Sequence, residues 1–497
     1  MRLARSSGIL CHPTCFPSRH GIGDLGQGAY DFVDWAAGAG QKLWQILPLG
    51  PTGYGDSPYQ CFSAFAGNPN LISPDQLAWH GLLPAEALAE VPPFHDGRVD
   101  YGPVIAHKTR LLRRSFEHFQ AHGTAEQRAG FAAFLEYHDG WVKDYALFMA
   151  LKAHFGGGSW QDWPREVALR RPKALDPLRV ELAAAITYYE YLQWCFADQW
   201  QALKSYANQK GIQIIGDIPI FAAEDSADVW GRPELFQLDK NHRPVVVAGV
   251  PPDYFSDAGQ LWGNPHYCWD DMARDGYAWW VERIRRTLQM VDIVRVDHFR
   301  GFEAYWAVPA GDRTAKKGRW VKGPGATFFE AVEKALGKLP IIAEDLGIIT
   351  PEVDELRLQF DLPGMKVLQF GFAQELDSKY LPHSYEANYV VYPGTHDNNT
   401  VAGWFNEPER TPQEKWKCLR YMNCDEVDLP WAFIRAAWGS VADVAVAQLQ
   451  DVMGLGAEAR MNYPSKLGGN WQWRYTPDRL TDALCARLRE LTRLYQR

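Results

Sequence analysis

Short apolar runs that end in polar, chemically capable residues recur along this chain. QKLWQILPLGPT (41–52), GIQIIGDIPIF (211–221), VDIVRVDHFRG (291–301), LPIIAEDLG (339–347), MKVLQFGF (365–372) and NYVVYPGTHDNNT (388–400) all have this form. Each predicts a buried parallel strand feeding a loop. Between them, apolar positions recur at helical spacing in AYDFVDWAAGAG (29–40), ITYYEYLQWCFADQWQALKSYANQKG (186–211), YAWWVERIRRTLQM (277–290) and ATFFEAVEKALG (326–337). Strand–helix alternation implies a parallel α/β fold. Six or more such units favour a closed (β/α)8 TIM barrel, where functional residues sit at the C-terminal ends of the strands.

The spacing is uneven. About 140 residues separate an expected strand near residue 71 from the one near 213. The part between is rich in Trp, Leu, Ala and charged helix formers, so about 74–200 is assigned to a mainly helical insertion region. The stretch from about 222 to 270 is long, aromatic and rich in Gly and Pro, and loops of that length are usually functional. It is expected to form a lid and loop insertion over the active site. With no internal repeat and no low-complexity tract, residues 1–497 are treated as one catalytic barrel.

If 291–297 is a strand, Ile293, Arg295 and Asp297 share one face while Val294 and Val296 share the other. The apolar face then packs on helices, and the Arg and Asp point into the barrel near its mouth. A structural ion pair inside the barrel accounts for the same pattern. Glu344 and Asp345 follow PIIA, and Asp397 follows NYVVYPGTH. One strand-end acid is ordinary, as an N-cap or loop acceptor; three on successive strands, with Arg295 and His396, call for more. Converging carboxylates suit glycosidic bond chemistry, one as nucleophile and one protonating the leaving oxygen. Repulsion and partial burial raise the proton affinity of one member, while an arginine keeps the other ionised and fixed in direction.

The stretch AGVPPDYFSDAGQLWGNPHY (248–267), followed by VRVDHFRGF, AEDLG and GTHDNNT, closely resembles the 4-α-glucanotransferases of glycoside hydrolase family 77. The likeness begins with GILCHPTCFPSRHGIGDLG and QILPLGPTGYGDSPYQCFSAFAGNPNLIS and covers nearly the whole chain. It implies retaining transfer of α-1,4-glucan segments, with Asp297 as nucleophile, Glu344 as acid/base and Asp397 as transition-state stabiliser. It also implies that Arg295 and His396 bind the donor ring, with Asp217 and Tyr59 as neighbours and Tyr59 stacking on the donor sugar. Gln260 and Trp262 would shape the acceptor side, with Ser57 and Asn470 as further contacts. Tyr254 and Phe255 belong to the family's lid, and Tyr54 and Tyr101 match aromatics of a second glucan-binding surface in some relatives. The implied partners are malto-oligosaccharides, amylose and starch- or glycogen-derived glucans, with glucose as an acceptor. The mechanism calls for no cofactor and no metal.

Composition narrows the classes further. Nearly half of the 497 residues are hydrophobic and charged residues occur at ordinary frequency, as in folded globular proteins. A net charge of −9 argues against nucleic acid or an anionic membrane as the main partner. No apolar run is long enough to span a bilayer, and the arginine-containing start lacks the continuous apolar core of a signal peptide, so the expected location is the cytoplasm. Eight scattered cysteines fit reduced thiols better than a disulfide framework. Cys11, His12, Cys15 and His20 lack the second half of a zinc site.

Three other readings compete. An α-amylase-type hydrolase shares the barrel and the acids, but GDIPIF lacks the Asn and His typical of calcium-dependent amylases. Gly21, Gly23 and Gly26 spell G-x-G-x-x-G without the preceding strand or the later acid of a dinucleotide site; a turn at the cleft rim accounts for them. A glucan-binding protein without catalysis would have lost one of Asp297, Glu344 and Asp397, and all three are present. The N-x-T triplet at Asn398 falls inside the acid motif and is read as chance.

Overall fold

The computed structural model describes residues 2–252, 257–372, 378–464, 466 and 468–497. Twelve strands are present among them: β1 Ser6–Leu10, β2 Leu43–Gln45, β3 Gln213–Pro219, β4 Val246–Val250, β5 Gln260–Pro265, β6 Ile293–Asp297, β7 Ala304–Pro309, β8 Arg319–Lys322, β9 Ile341–Ala343, β10 Gly364–Val367, β11 Tyr389–Tyr392 and β12 Val444–Gln448. Eight pair in the order β10-β11-β12-β1-β2-β3-β6-β9, every pair parallel. The ends of this sheet meet where Ala343 N–H donates to the Pro363 carbonyl at 2.9 Å, and the sheet curls into a nearly closed barrel. Closure leaves these strands no free edge, so the polar residues at their C-terminal ends converge on one mouth.

The six runs read from sequence supply β2, β3, β6, β9, β10 and β11. The two barrel strands not read from sequence, β1 (SSGIL) and β12 (VAVAQ), are buried throughout; β1 opens with Ser-Ser-Gly, which carries little apolar signal, and β12 alternates Val with Ala. Gly8 shows why small residues stand there: a Cβ on it would lie 2.4 Å from the Leu43 carbonyl oxygen across the β1–β2 pair. The expected strand near 71 is instead a single 3-10 turn, Pro69–Leu71. Pro69 opens it, and the Asn68 side chain accepts the Asn70 N–H, chemistry that favours a turn.

Between β2 and β3 the chain runs mainly through helices. The longest, Tyr101–His122 and Ala183–Gln209, present one buried face each and pack together around Phe116, Phe119 and Tyr191, whose ring centroids are 5.0–5.4 Å apart. Residues 222–270 were read as loop. They contain β4 and β5, which join β7 and β8 in a four-stranded antiparallel sheet of order β5-β4-β7-β8. The connections that follow β3 and β6 thus knit one sheet beyond the barrel, and β5 brings Gln260 and Trp262 to the cleft.

Candidate active site

Strand register sets the first contacts. Asp217 on β3 pairs with Arg295 on β6, and Pro219 with Asp297. The Arg295 side chain is 4% exposed. Its Nη1 donates to Asp217 Oδ2 at 2.6 Å, and its Nη2 lies 2.9 Å from Asp297 Oδ1. Burial opposes a charge here, but the two carboxylates outweigh it and hold the guanidinium's proton affinity well above the ordinary value. Burial also raises the Asp217 carboxyl, with Arg295 opposing. The charges in β6 persist because they are paired and hydrogen-bonded inside the barrel.

Glu344 follows β9 directly. Its Oε2 accepts the His298 N–H at 2.7 Å and its Oε1 the Leu346 N–H at 2.9 Å. His298 is left-handed, with φ 55°, a turn that brings its amide to Glu344 one residue after Asp297. Burial, then the Asp297 charge, push the Glu344 carboxyl up to about 8 against Arg295 and the two amides. A carboxyl of this kind holds its proton at neutral pH and is suited to general-acid work.

Asp397 follows β11 through a turn in which Asn398 Oδ1 accepts the Thr395 N–H at 2.9 Å. Its side chain is 46% exposed. Asp397 Oδ1 accepts from Asn462 Nδ2 at 2.6 Å, and the Asp397 carbonyl accepts from Arg460 Nη2 at 2.8 Å. His396 Nε2 lies 3.4 Å from Asp397 Oδ1 and 2.8 Å from Tyr59 Oη. Burial keeps the His396 ring below its usual proton affinity. Tyr59 Oη in turn donates to Asp217 Oδ2 at 3.0 Å. One polar chain therefore runs Asp397–His396–Tyr59–Asp217–Arg295–Asp297. The Tyr59 ring stacks on His396 at 5.2 Å and leans on Trp471 at 5.9 Å.

Tyr59, Asp297, His298, His396, Asp397 and Asn462 line a cleft of about 530 Å³. Gln260 and Trp262 form one flank, with Trp262 Nε1 donating to Gln260 Oε1 at 3.1 Å and its ring set edge-on to His298 at 4.8 Å. Ser57 and Asn470 also line the cleft. Each holds backbone as well: Ser57 Oγ accepts the Tyr59 N–H at 3.2 Å, and Asn470 Oδ1 accepts the Tyr463 N–H at 2.9 Å. Tyr54 is 74% exposed at the rim. Tyr101 is buried, its hydroxyl donating to the Trp471 carbonyl at 2.8 Å, so its ring offers no surface to a glucan. Tyr254 and Phe255 lie outside the described residues.

Sequence reasoning assigned nothing to Arg460 or Asn462, which hold Asp397 from more than sixty residues away. Trp471 carried no assignment, and His298 was visible only as the residue after Asp297. Among the described residues no group of His, Cys, Asp and Glu is arranged to hold a metal ion.

Residues 11–481 match the family model described as 4-alpha-glucanotransferase, glycoside hydrolase family 77. The 4-alpha-glucanotransferase of Synechocystis sp. is 50% identical over 497 residues, covering 99% of this chain and 98% of that protein. The enzyme of the same name from Thermus thermophilus is 50% identical over 505 residues, covering both chains in full. Among solved structures, amylomaltase from Streptococcus agalactiae in complex with acarbose superposes with a TM-score of 0.96 at 40% identity, covering 99% of each chain. The acid-lined mouth of a (β/α)8 barrel and these matches lead to one assignment: the chain belongs to the 4-alpha-glucanotransferase family, glycoside hydrolase family 77, whose members are glycosyltransferases acting on α-1,4-glucans.

Proposed function

We propose that this enzyme moves α-1,4-glucan segments from a donor malto-oligosaccharide, amylose, starch or glycogen-derived chain to the 4-hydroxyl of an acceptor glucan or glucose, with retention. Asp297 attacks the anomeric carbon while Glu344 protonates the departing oxygen, giving a covalent glycosyl-enzyme. Glu344, now ionised, takes the proton of the acceptor hydroxyl as that oxygen displaces Asp297. Asp397, His396, Arg295, Asp217 and Tyr59 hold the donor ring; Gln260 and Trp262, with Ser57 and Asn470 beside them, shape the acceptor side. The observation that carries this reading is the split between two acids of one cluster. Asp297 faces the Arg295 guanidinium, whereas burial leaves Glu344 protonated at neutral pH.

The whole chain acts as one catalytic unit, with about 74–200 as a helical insertion region and the 222–270 region as a lid and loop insertion over the cleft. Transfer needs a bound acceptor to outcompete water, and cover over the cleft provides proximity and partial exclusion of solvent. Eight unpaired cysteines are consistent with a reducing compartment, and the cytoplasm is the location we infer. Among the described residues no helix is long and apolar enough to cross a membrane.

Incubation with maltotriose, without calcium or nucleotide, tests the reaction. Transfer conserves the number of reducing ends, so glucose plus longer oligosaccharides at a constant total is the expected result. A rising total with only shorter products would make the enzyme a hydrolase.

A further inference from the structure

A small cavity of about 10 Å³ shares the His396 side chain with the cleft and is otherwise enclosed by Cys11, His12, Gln448, Gln450 and Met461, among others. That is room for about one water molecule. The polar atoms around it are poorly matched within the protein. His396 Nδ1, Gln448 Oε1 and Gln448 Nε2 are all buried without a protein partner, and Gln448 is 1% exposed. Leaving such groups unsatisfied is costly. Gly394 packs against two amides here: a Cβ on it would lie 2.6 Å from Gln369 Nε2 and 3.1 Å from Gln448 Nε2.

The other edge of the His396 ring decides what Nδ1 must be. Tyr59 donates to Asp217 Oδ2, so its oxygen accepts from His396 Nε2. Asp397 Oδ1, 3.4 Å from the same nitrogen, also favours a proton there. The ring is neutral in this buried place and carries a single proton. Nδ1 is therefore a bare acceptor facing the cavity. His12 is neutral as well, and its Nδ1 is occupied by the Leu47 N–H at 3.3 Å.

We propose that Gln448 is a positioning residue for the transfer reaction: with one water molecule held in this cavity, it completes the hydrogen bonding of His396 Nδ1, the acceptor edge of the ring, and so supports the Nε2–H tautomer that Tyr59 and Asp397 select. The inference rests on the reading of Tyr59, His396 and Asp397 as neighbours of the donor sugar. A proton on Nδ1 instead would set a lone pair against Asp397 Oδ1 and draw the Tyr59 hydroxyl away from Asp217. That would break the polar chain at its centre. The arrangement is a supporting contact of the kind that orients histidines in active sites.

The test is nitrogen NMR on the full-length protein with labelled histidine, the His396 signal being assigned by its loss in His396→Gln. The wild-type ring is expected as the neutral Nε2–H tautomer. In Gln448→Met the signal should move toward a tautomer mixture, and kcat for maltotriose should fall about fivefold with KM within about twofold. Met461→Leu, a packing change at the same cavity, should leave the tautomer as in wild type, which separates positioning from bulk. A wild-type Nδ1–H ring overturns the proposal even if Gln448→Met does not fold. An unchanged tautomer in a folded Gln448→Met protein overturns it equally. Absence of transfer with the Nε2–H tautomer intact would instead count against the proposed reaction.

Discussion

Asp297, at the end of β6 and paired with Arg295, and the Gln260–Trp262 pair on β5 line the same cleft but are held by different means. Asp217, Arg295 and Glu344 sit on a barrel with no free edge, and each is bound by a neighbouring strand or by backbone amides. Gln260 and Trp262 belong to a strand at one end of the four-stranded antiparallel sheet, where β5 pairs only with β4 and the ladder is irregular near Gly249. Trp262 is partly exposed, and its indole N–H bonds to Gln260 rather than to the barrel. We therefore assign bond breaking to the barrel, as the rigid part, and acceptor recognition to the sheet outside it, which can vary without disturbing those acids.

If that division is right, the largest effects come from the rigid half and leave folding intact. Asp297→Asn and Glu344→Gln should each lower transfer from maltotriose by about a thousandfold, in line with the loss of a covalent or general-acid step. The unfolding midpoint of either variant should stay near that of wild type. Near-normal rates in one of them would remove that residue from the mechanism. Arg295→Met should affect both properties. It leaves the Asp217 and Asp297 charges without their counter-ion, and breaking a buried pair costs about 3–5 kcal/mol. Denaturant unfolding and the transfer rate together check this; loss of rate alone would mean that the pair orients without supporting the fold.

The pH dependence tests the same half more finely. Glu344 must be protonated to release the leaving group, and its carboxyl is raised to about 8, so kcat/KM should fall as pH rises through about 8. The folded protein keeps this proton above the usual Glu value of 4.5 while the unfolded chain has lost it. The folded state thus binds more protons in that window, and this group's contribution to stability declines as pH rises from 4.5 toward 8. Glu344→Gln should flatten that part of the stability profile. A basic limb near pH 6 would mean that solvent or substrate relieves the burial of Glu344.

The same contrast explains what could be read in the sequence. β2, β3, β6, β9, β10 and β11 announce themselves because apolar runs end in polar residues. The acids were legible because the chain places them at or shortly after the ends of those runs. β1 opens with Ser, Ser and Gly, which carry little hydrophobic signal, and Gly8 is required by the close approach of Leu43. β5, written QLWGNP, contains a glycine, an asparagine and a proline that suggest a loop, and only its pairing with β4 makes it a strand. Asn462 reaches Asp397 through tertiary closure, which no local period records. The burial of Tyr101 at the start of a helix was likewise not legible from its matching position alone.

The smallest expected effect probes the variable half. Trp262 lies edge-on to His298, whose amide holds Glu344, and lines the cleft beside Gln260. Trp262→Ala removes an apolar ring suited to packing on a pyranose face without touching β3, β6 or β9. Donor cleavage should change by less than about threefold, whereas the ratio of hydrolysis to transfer should rise, because the glycosyl-enzyme then meets water more often than a held acceptor. Counting reducing ends against chain-length redistribution with maltotriose separates the two. If cleavage itself collapsed, the acceptor flank would be part of the rigid machinery and the division would fail. If neither quantity moved, Trp262 would serve packing alone, leaving Gln260 and the loop around Asn470 to retain the acceptor.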